Sequence, residues 1–263
     1  MSDGPVRRLS VVMIALNEAR SLPRAIRSVA WADEVVVVDS GSTDGTAGLA
    51  RELGARVLHR EWTGFVDQKN FALAQAVHPW VLSLDADEEC SPGLEKEIQS
   101  WRRGGDSPAQ GFRVPRQAFF MGRWIRHSDW YPDWQLRLFN RETGRWETRR
   151  VHESVKVDGP VRTLSQPLLH YPYEDLGDYL AKMDAYSRLA AEDLWDRGRR
   201  ARAIDVAGAP VAAFVKSYLL KRGFLEGLPG LVIAGLSAVS TFFRYARLYE
   251  RGLGPRPCCP GGR

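Results

Sequence analysis

Over roughly the first ninety residues, short valine-rich runs alternate with segments of helical period, and this pattern constrains the fold more than any other feature of the chain. It is the pattern of βαβ units, whose strands lie parallel in one sheet against their crossover helices. Leu9 to Ala15 and Glu34 to Val38 are two such runs. Between them Leu22, Ile26, Val29 and Ala30 share a helical face, with Ser21 at the N-cap position and Pro23 in the first turn, so this segment reads as a crossover helix. A second helix carries Ala47, Ala50 and Leu53 on one side and stops at Gly54. A short strand near Val57, a helix from about Val66 to Val77 and a strand from Trp80 to Leu84 repeat the cycle. Ser91-Pro92 then opens a helix that turns Leu94, Ile98 and Trp101 inward.

From Gly111 the chain becomes rich in aromatics and arginine and is broken by Gly and Pro, a texture that suits short antiparallel strands and loops. An amphipathic helix is expected from Glu174 to about Arg197, ended by Gly198. After the basic stretch RGRRARA the chain is apolar from Ala207 to Phe243, interspersed with Lys216, Lys221 and Arg222 and followed by Arg244 and Arg247. Its longest uninterrupted run, Leu228 to Phe243, is shorter than the roughly 20 residues of a spanning helix. A buried hairpin, a spanning helix and an interfacial helix all remain open, and the flanking cations favour the interfacial one.

The formal net charge of +5 favours an anionic partner: a nucleotide, a phospholipid surface or nucleic acid. No motif supports nucleic acid. Cys90, Cys258 and Cys259 give no even-numbered disulfide framework, which points to a reducing compartment. The N-terminus has only a short apolar run without a small-residue cleavage site, and reads as a cytosolic start leading into a core strand.

Three strand ends carry polar groups. The cluster Leu84-Asp85-Ala86-Asp87-Glu88-Glu89 places carboxylates two apart where an apolar strand stops. Such oxygens suit Mg²⁺ or Mn²⁺ holding a diphosphate, and equally suit a solvated turn before a helix. The stretch Asp39-Ser40-Gly41-Ser42-Thr43-Asp44-Gly45-Thr46 puts a carboxylate at a strand tip, where it can accept from a base or ribose, and glycines where backbone must approach a ligand. It is also an ordinary turn rich in capping residues. Asn17-Glu18 closes the first strand, and Lys69 on a helix is within reach of a phosphate. Convergence of this kind at the carboxyl edge of a parallel sheet is where ligands bind.

The stretches SVVMIALNEARSLPRAIRS, VVVVDSGSTDGT, GFVDQKNFAL and VLSLDADE, in this order and spacing, resemble the family 2 glycosyltransferases of GT-A fold. RLFNRETGRWETRRVHESV and the tail FVKSYLLKRGFLEGLPGLVIAGLSAVSTFFRYARLYE are similar to bacterial lipopolysaccharide core β-1,4-glucosyltransferases, and the likeness covers nearly all of residues 9–250. The resemblance implies an α/β, Rossmann-like, mostly parallel sheet flanked by helices, with a C-terminal amphipathic helical extension. It implies a catalytic domain over 1–172 with a donor half at about 9–105 and an acceptor half at about 106–172. Residues 173–250 would be a membrane-associated extension and 251–263 a disordered tail.

By the same resemblance, the reaction is an inverting transfer of a hexose, glucose, from a UDP-sugar to a lipid-linked saccharide at the inner face of the cell membrane. Asn17, Glu18, Asp39, Ser40, Gly41 and Asp44 would line the donor pocket, with Asp85 and Ala86 facing ribose or diphosphate and Lys69 pairing with phosphate. Asp87, with Asp85 and His152, would hold the metal, and His152 would also touch the diphosphate. Relatives carry an Asp base in an acidic pair, where this chain presents Val151-His152-Glu153, so Glu153 is the expected base and Asp129 its rival. Trp124, Trp130, Tyr131 and Trp134 offer faces for sugars or fill the core. Competing readings are a polyprenyl-phosphate glycosyltransferase and a nucleotide-sugar-binding protein without catalysis. A nucleotidyltransferase lacks support, since no N-terminal glycine-rich loop with a following arginine and lysine is present.

Overall fold

The computed structural model describes residues 6–104, 108–148 and 153–254. They form two units, one holding residues up to Trp124 together with Tyr131–Pro172, the other holding Ile125–Trp130 and the chain from Tyr173 onward.

In the first unit the expected alternation is present as β1 (Leu9–Ala15), α1 (Leu22–Ser28), β2 (Glu34–Asp39), α2 (Thr46–Glu52), β3 (Arg56–His59), α3 (Phe65–Gln75) and β4 (Trp80–Ser83). Then follow β5 (Glu88–Cys90), α4 (Pro92–Arg103), β6 (Gly111–Phe120), β7 (Arg123–Trp124), β8 (Asp133–Asn140), β9 (Gly144–Thr148), β10 (Glu153–Val157), β11 (Val161–Thr163) and β12 (Leu168–His170). The main sheet runs β3-β2-β1-β4-β8-β6-β12-β5, with β7 and β11 attached to β6. From β3 to β4 all pairings are parallel, while β8 enters antiparallel beside β4. The chain steps outward from β1 through β2 to β3 and then returns to β4 on the other side of β1, so the strand order reverses at β1 and opens a crevice at the carboxyl ends.

Strand alternation sorts the core. Val11, Met13, Val37, Leu82 and Leu84 face the layer of α1, α2 and α4. Val12, Val36, Val38 and Val81 face α3 and the β9–β10 pair. Both faces are covered, so the strands read as continuous apolar runs, each fully buried side chain contributing roughly 1.5–3 kcal/mol. Some details differ from the sequence reading. Ser21 makes no cap bond; its hydroxyl donates instead to the Glu18 backbone and carboxylate. Ala30 is exposed, outside α1, whereas Trp101 does face inward, packed on the core edge-on to Trp80 with ring centres 4.5 Å apart.

In the second unit, α5 (Leu176–Asp196) is capped by Asp175, whose side chain accepts from Asp178 N at 2.9 Å. α6 (Ala203–Val215) continues into a π-helical turn, Lys216–Leu220, followed by a 3-10 turn, Gly223–Glu226, and α7 (Leu228–Gly252). α7 packs along α6 and binds α5 through ion pairs Arg247–Asp184 and Arg251–Glu192, the latter at 2.6 Å. The proposed disordered tail begins inside α7, since Arg251 and Gly252 are helical.

Candidate active site

The carboxyl edge is built by two turns sewn to each other. Asn17 takes a left-handed conformation (φ 56°), which asparagine tolerates better than most residues, and this lets its backbone N–H donate to Ser42 Oγ (2.8 Å) while its Oδ1 accepts from Thr43 N (2.9 Å). Glu18 N donates to Thr46 Oγ1 (2.8 Å), and Ala19 N to Asp44 Oδ2 (3.0 Å). The other Asp44 oxygen accepts from Thr46 N and Oγ1; the Thr46 bond, then that from Ala19, holds its carboxyl below the usual range. Gly41 and Gly45 both have φ near 90°, which only glycine adopts cheaply.

Asp39, 5 % exposed, accepts from Gly41 N and Ser42 N through Oδ2, both at 3.1 Å, while its Oδ1 is buried and has no protein partner. A buried acceptor left unpaired costs about 1–3 kcal/mol, so this oxygen suits a ligand donor. Beside it, fully buried Gln68 donates to Ser40 Oγ (2.9 Å) and to the Arg60 carbonyl (3.0 Å); its own Oε1 is likewise unpaired.

The acidic cluster is fastened from a distance. Asp85 Oδ1 lies 3.0 Å from Lys69 Nζ, and Oδ2 lies 2.5 Å from Arg137 Nη2 on β8. Arg137 also binds Glu88 at 2.6 Å; Glu88, wholly buried, accepts from Asp85 N (3.0 Å) and from Arg116 (3.2 Å). Burial works against the Asp85 charge, but Arg137 and Lys69 outweigh it and hold the carboxyl far below the usual range. Burial likewise opposes the Arg137 charge, and Asp85 and Glu88 overcome it, so the guanidinium pKa is raised.

Lys69, 5 % exposed, stands 4.3 Å over the Trp146 ring and pairs with Glu153 Oε1 at 3.2 Å, so one ammonium joins the acidic turn to β10. The next helix residue docks the hairpin: Asn70 Nδ2 donates to Trp146 O and Asn70 Oδ1 accepts from Trp146 N, both at 2.9 Å. Glu153 sits opposite Thr148 in that hairpin. His152, expected as a metal and diphosphate contact, lies outside the described residues.

Asp87 faces His170. The β5–β12 pairing sets His170 opposite Glu88, which brings Nε2 to 3.2 Å from Asp87 Oδ2. Ala86, buried, separates the two aspartates. Among the described residues, no three His, Cys, Asp or Glu side chains gather as a metal cluster. Asp87 and His170 nonetheless form a donor pair, a hard oxygen with an imidazole, that fits Mn²⁺ or Mg²⁺ when a ligand's oxygens and water complete the shell.

Asp129 belongs to the second unit, where Ser217 Oγ donates to Oδ1 (2.6 Å) and Ser237 Oγ to Oδ2 (3.0 Å). The structure thus gathers Asn17, Glu18, Asp39, Ser40, Gly41 and Asp44 in one pair of turns, and Lys69, Asp85 and Glu153 in one ion-pair chain. Arg137, Gln68, Asn70 and His170 had no role in the sequence reading. A charged residue inside the apolar run QLRLFN and a lone histidine at the end of the short strand LLH were the only signals for Arg137 and His170.

A reversing parallel sheet with a sewn pair of turns, an acidic cluster and a buried lysine at its carboxyl edge defines a GT-A glycosyltransferase. The family model for glycosyl transferase family 2 matches residues 10–157. The chain is 32% identical, over 94% of both sequences, to the lipopolysaccharide core biosynthesis glycosyltransferase LpsC of Rhizobium meliloti (strain 1021). An uncharacterized glycosyltransferase of Rickettsia bellii (strain RML369-C) is also 32% identical, over 98% of this chain and 91% of its own. The mannosyltransferase PcManGT of Pyrobaculum calidifontis, solved with GDP-Man and Mn2+, shares the fold at a TM-score of 0.50 and 18% identity, covering 91% of this chain and 76% of that one. The chain belongs to glycosyl transferase family 2.

Proposed function

We propose that this enzyme transfers glucose, with inversion, from UDP-glucose to a lipid-linked saccharide of the lipopolysaccharide core, working as a peripheral protein on the cytoplasmic face of the membrane. The observation that carries the reading is the ion-pair chain Asp85–Lys69–Glu153 beside the Asp87–His170 pair. Likeness to LpsC over nearly the whole chain supports the core acceptor.

In this reading Asp39 Oδ1 accepts from the donor's base or ribose, and Lys69 binds the diphosphate. Asp87 and His170 would hold Mg²⁺ or Mn²⁺, which when bound neutralises charge on the leaving diphosphate. Glu153 takes the proton from the acceptor hydroxyl as that oxygen attacks the anomeric carbon, a contribution of about 10²–10⁴-fold. Glu153 is preferred to Asp129 as base because it shares Lys69 with Asp85, whereas both Asp129 oxygens already accept serine hydroxyls.

Calorimetric titration with UDP-glucose and with GDP-mannose, each with and without Mn²⁺, tests the donor assignment. Metal-dependent binding of UDP-glucose is expected, weakened at least about tenfold in His170→Ala. Donor binding that survives exhaustive chelation at full strength would remove the metal from the reading. Glu153→Gln should keep donor binding and lose turnover. Turnover that survives there and vanishes in Asp129→Asn would move the base, and survival in both would favour an acceptor that is already an anion, such as a polyprenyl phosphate.

A further inference from the structure

The outward residues of α6 recur with helical period and are apolar: Ile204, Ala207, Gly208, Val211, Ala212 and Val215. Only 6% of the stretch Ala203–Leu220 is buried, with Ile204 and Val211 more than 60% exposed (70% and 63%). Leu219 and Leu220 prolong the surface into the π-helical turn, and Phe224, Leu225 and Leu228 carry it around to α7. Exposed cations border it, Arg199, Arg200 and Arg202 before α6 and Lys216, Lys221 and Arg222 near its end. An apolar strip between arginines and lysines complements an anionic bilayer surface, where acyl chains take the strip and phosphates take the cations.

By length and composition alone α7 could cross a bilayer, and so could α6 taken together with its π-helical turn, Ala203–Leu220. The turn after it argues otherwise. Lys221 O accepts from Ser128 N (2.8 Å), and the Glu226 carboxylate accepts from Arg126 N (2.8 Å) and faces His127 Nδ1 (2.7 Å). Ser128 is at most four residues along the chain from Trp124 and from Tyr131, both in the sheet unit. That is a covalent reach of about 14 Å, under half the roughly 30 Å hydrocarbon core. The α6–α7 turn therefore stays on the same side of a membrane as the catalytic domain. At its other end α6 follows α5, whose exposed Lys182 and Arg188 pair with the half-buried Asp178 and Asp184, ion pairs unsuited to lipid.

We infer that α6 is a monotopic anchor lying flat in one leaflet, its Ile204–Val211–Val215 face among the acyl chains and both ends on the catalytic side. The inference rests on the reading of the acceptor as lipid-linked, and deepens it by assigning the surface that meets the lipid. In-plane anchoring brings the transferase to acceptors held in that leaflet.

The full chain carrying Cys258→Ser and Cys259→Ser is prepared with Val211→Cys, labelled with an environment-sensitive fluorophore, and separately with Arg222→Cys, its thiol left free; Cys90 is buried. The probe surface is sealed vesicles of phosphatidylethanolamine with phosphatidylglycerol, against phosphatidylcholine alone. Expected are binding to the anionic vesicles, quenching at 211 by lipids spin-labelled near the headgroup, and full access of 222 to an impermeant maleimide. Val211→Glu should weaken vesicle binding by at least about tenfold. Protection of 222 with quenching at 211 by mid-chain labels would mean that α6 crosses, and would overturn the inference. So would a chain that ignores vesicles but forms a dimer that Val211→Glu dissociates, since the face would then pair two copies. UDP-glucose titration of the same samples separates the two readings: donor binding without vesicle binding sinks only the anchor, and vesicle binding without donor binding sinks only the donor assignment.

Discussion

The turns after β2 and β4 resemble each other as strings, each ending a buried apolar strand with two aspartates, yet they are fastened in opposite ways. The β2–α2 turn draws its partners from main-chain amides close by: Asp39 from Gly41 and Ser42, Asp44 from Thr46 and from Ala19 in the neighbouring turn. The β4–β5 turn is held by side chains 52 and 83 positions away, Arg137 for Asp85 and His170 for Asp87. A turn of the first kind needs only the β1–β2 pairing. One of the second kind exists only once β8 and β12 have taken their places, so the acidic cluster reports on assembly of the whole sheet.

The sharpest way to break this contrast is Arg137→Met. It leaves wholly buried Glu88 with the Asp85 amide and, at 3.2 Å, Arg116 as its remaining cation, and Asp85 with Lys69 as its own. Removing one partner of a buried ion network costs about 3–5 kcal/mol, so the urea midpoint should fall more than in any other variant considered below. A wild-type midpoint would mean that the β4–β5 turn is as locally determined as the other.

Asp85→Asn comes next, at about 2–3 kcal/mol, because its two cations keep Glu88 and Glu153 as second partners. It also carries a pH signature. The folded-state pKa of Asp85 lies below its unfolded value of about 3.9, so its contribution is fully present above that value and is lost as pH falls below it. The stability difference between wild type and Asp85→Asn should stay flat from about pH 7 to about pH 5 and shrink below about pH 4. Urea midpoints stepped across that range measure it, and a difference that grows on acidification would reverse the assignment.

The same contrast explains what the sequence could reveal. β1 to β4 and their helices announce themselves by local periodicity, and Asp39 and Asp85 by position at strand ends, since a strand and the turn after it are read within a few residues. His170 meets Asp87 only because β12 pairs antiparallel with β5, a long-range register that no local pattern encodes. Arg137 lies in a strand whose two faces are both covered, so alternation gives no sign that its side chain points into the site. Asp129 stood out as a carboxylate in an aromatic loop, but residues 125–130 leave the sheet unit for the helical one and spend that carboxylate on Ser217 and Ser237. Ser21 had the right residue type for a cap, and the neighbouring Glu18 took its hydroxyl instead. The apolar C-terminal run was plain, whereas its burial, low for α6 and higher for α7, required the packed helices.

Asn70→Ala probes the junction that sets Glu153. Losing two hydrogen bonds to the β9 backbone should cost about 1–2 kcal/mol. If the hairpin's place sets the base, kcat should fall while the KM for donor stays near wild type. A parallel loss of donor affinity would instead mean that α3 itself has shifted and taken Lys69 with it.

The smallest effect is expected from Asp44→Ala, the counterpart in the local turn. Its carboxylate is solvated, and the amides it leaves, Thr46 N and Ala19 N, lie where water can replace it. The thermal midpoint should drop less than in Asn70→Ala, and Asp44→Asn, whose amide oxygen still accepts from Thr46 N, should recover most of the loss. Metal-free binding of UDP is the sharper readout. If the β2–α2 turn acts apart from the β4–β5 turn, Asp44→Ala loosens Asn17 against Ser42 and Thr43 and weakens UDP modestly, leaving the metal-dependent increment from Asp87 and His170 intact. Loss of that increment would show that the two turns act as one unit, and that the difference in how they are fastened does not separate base recognition from diphosphate binding.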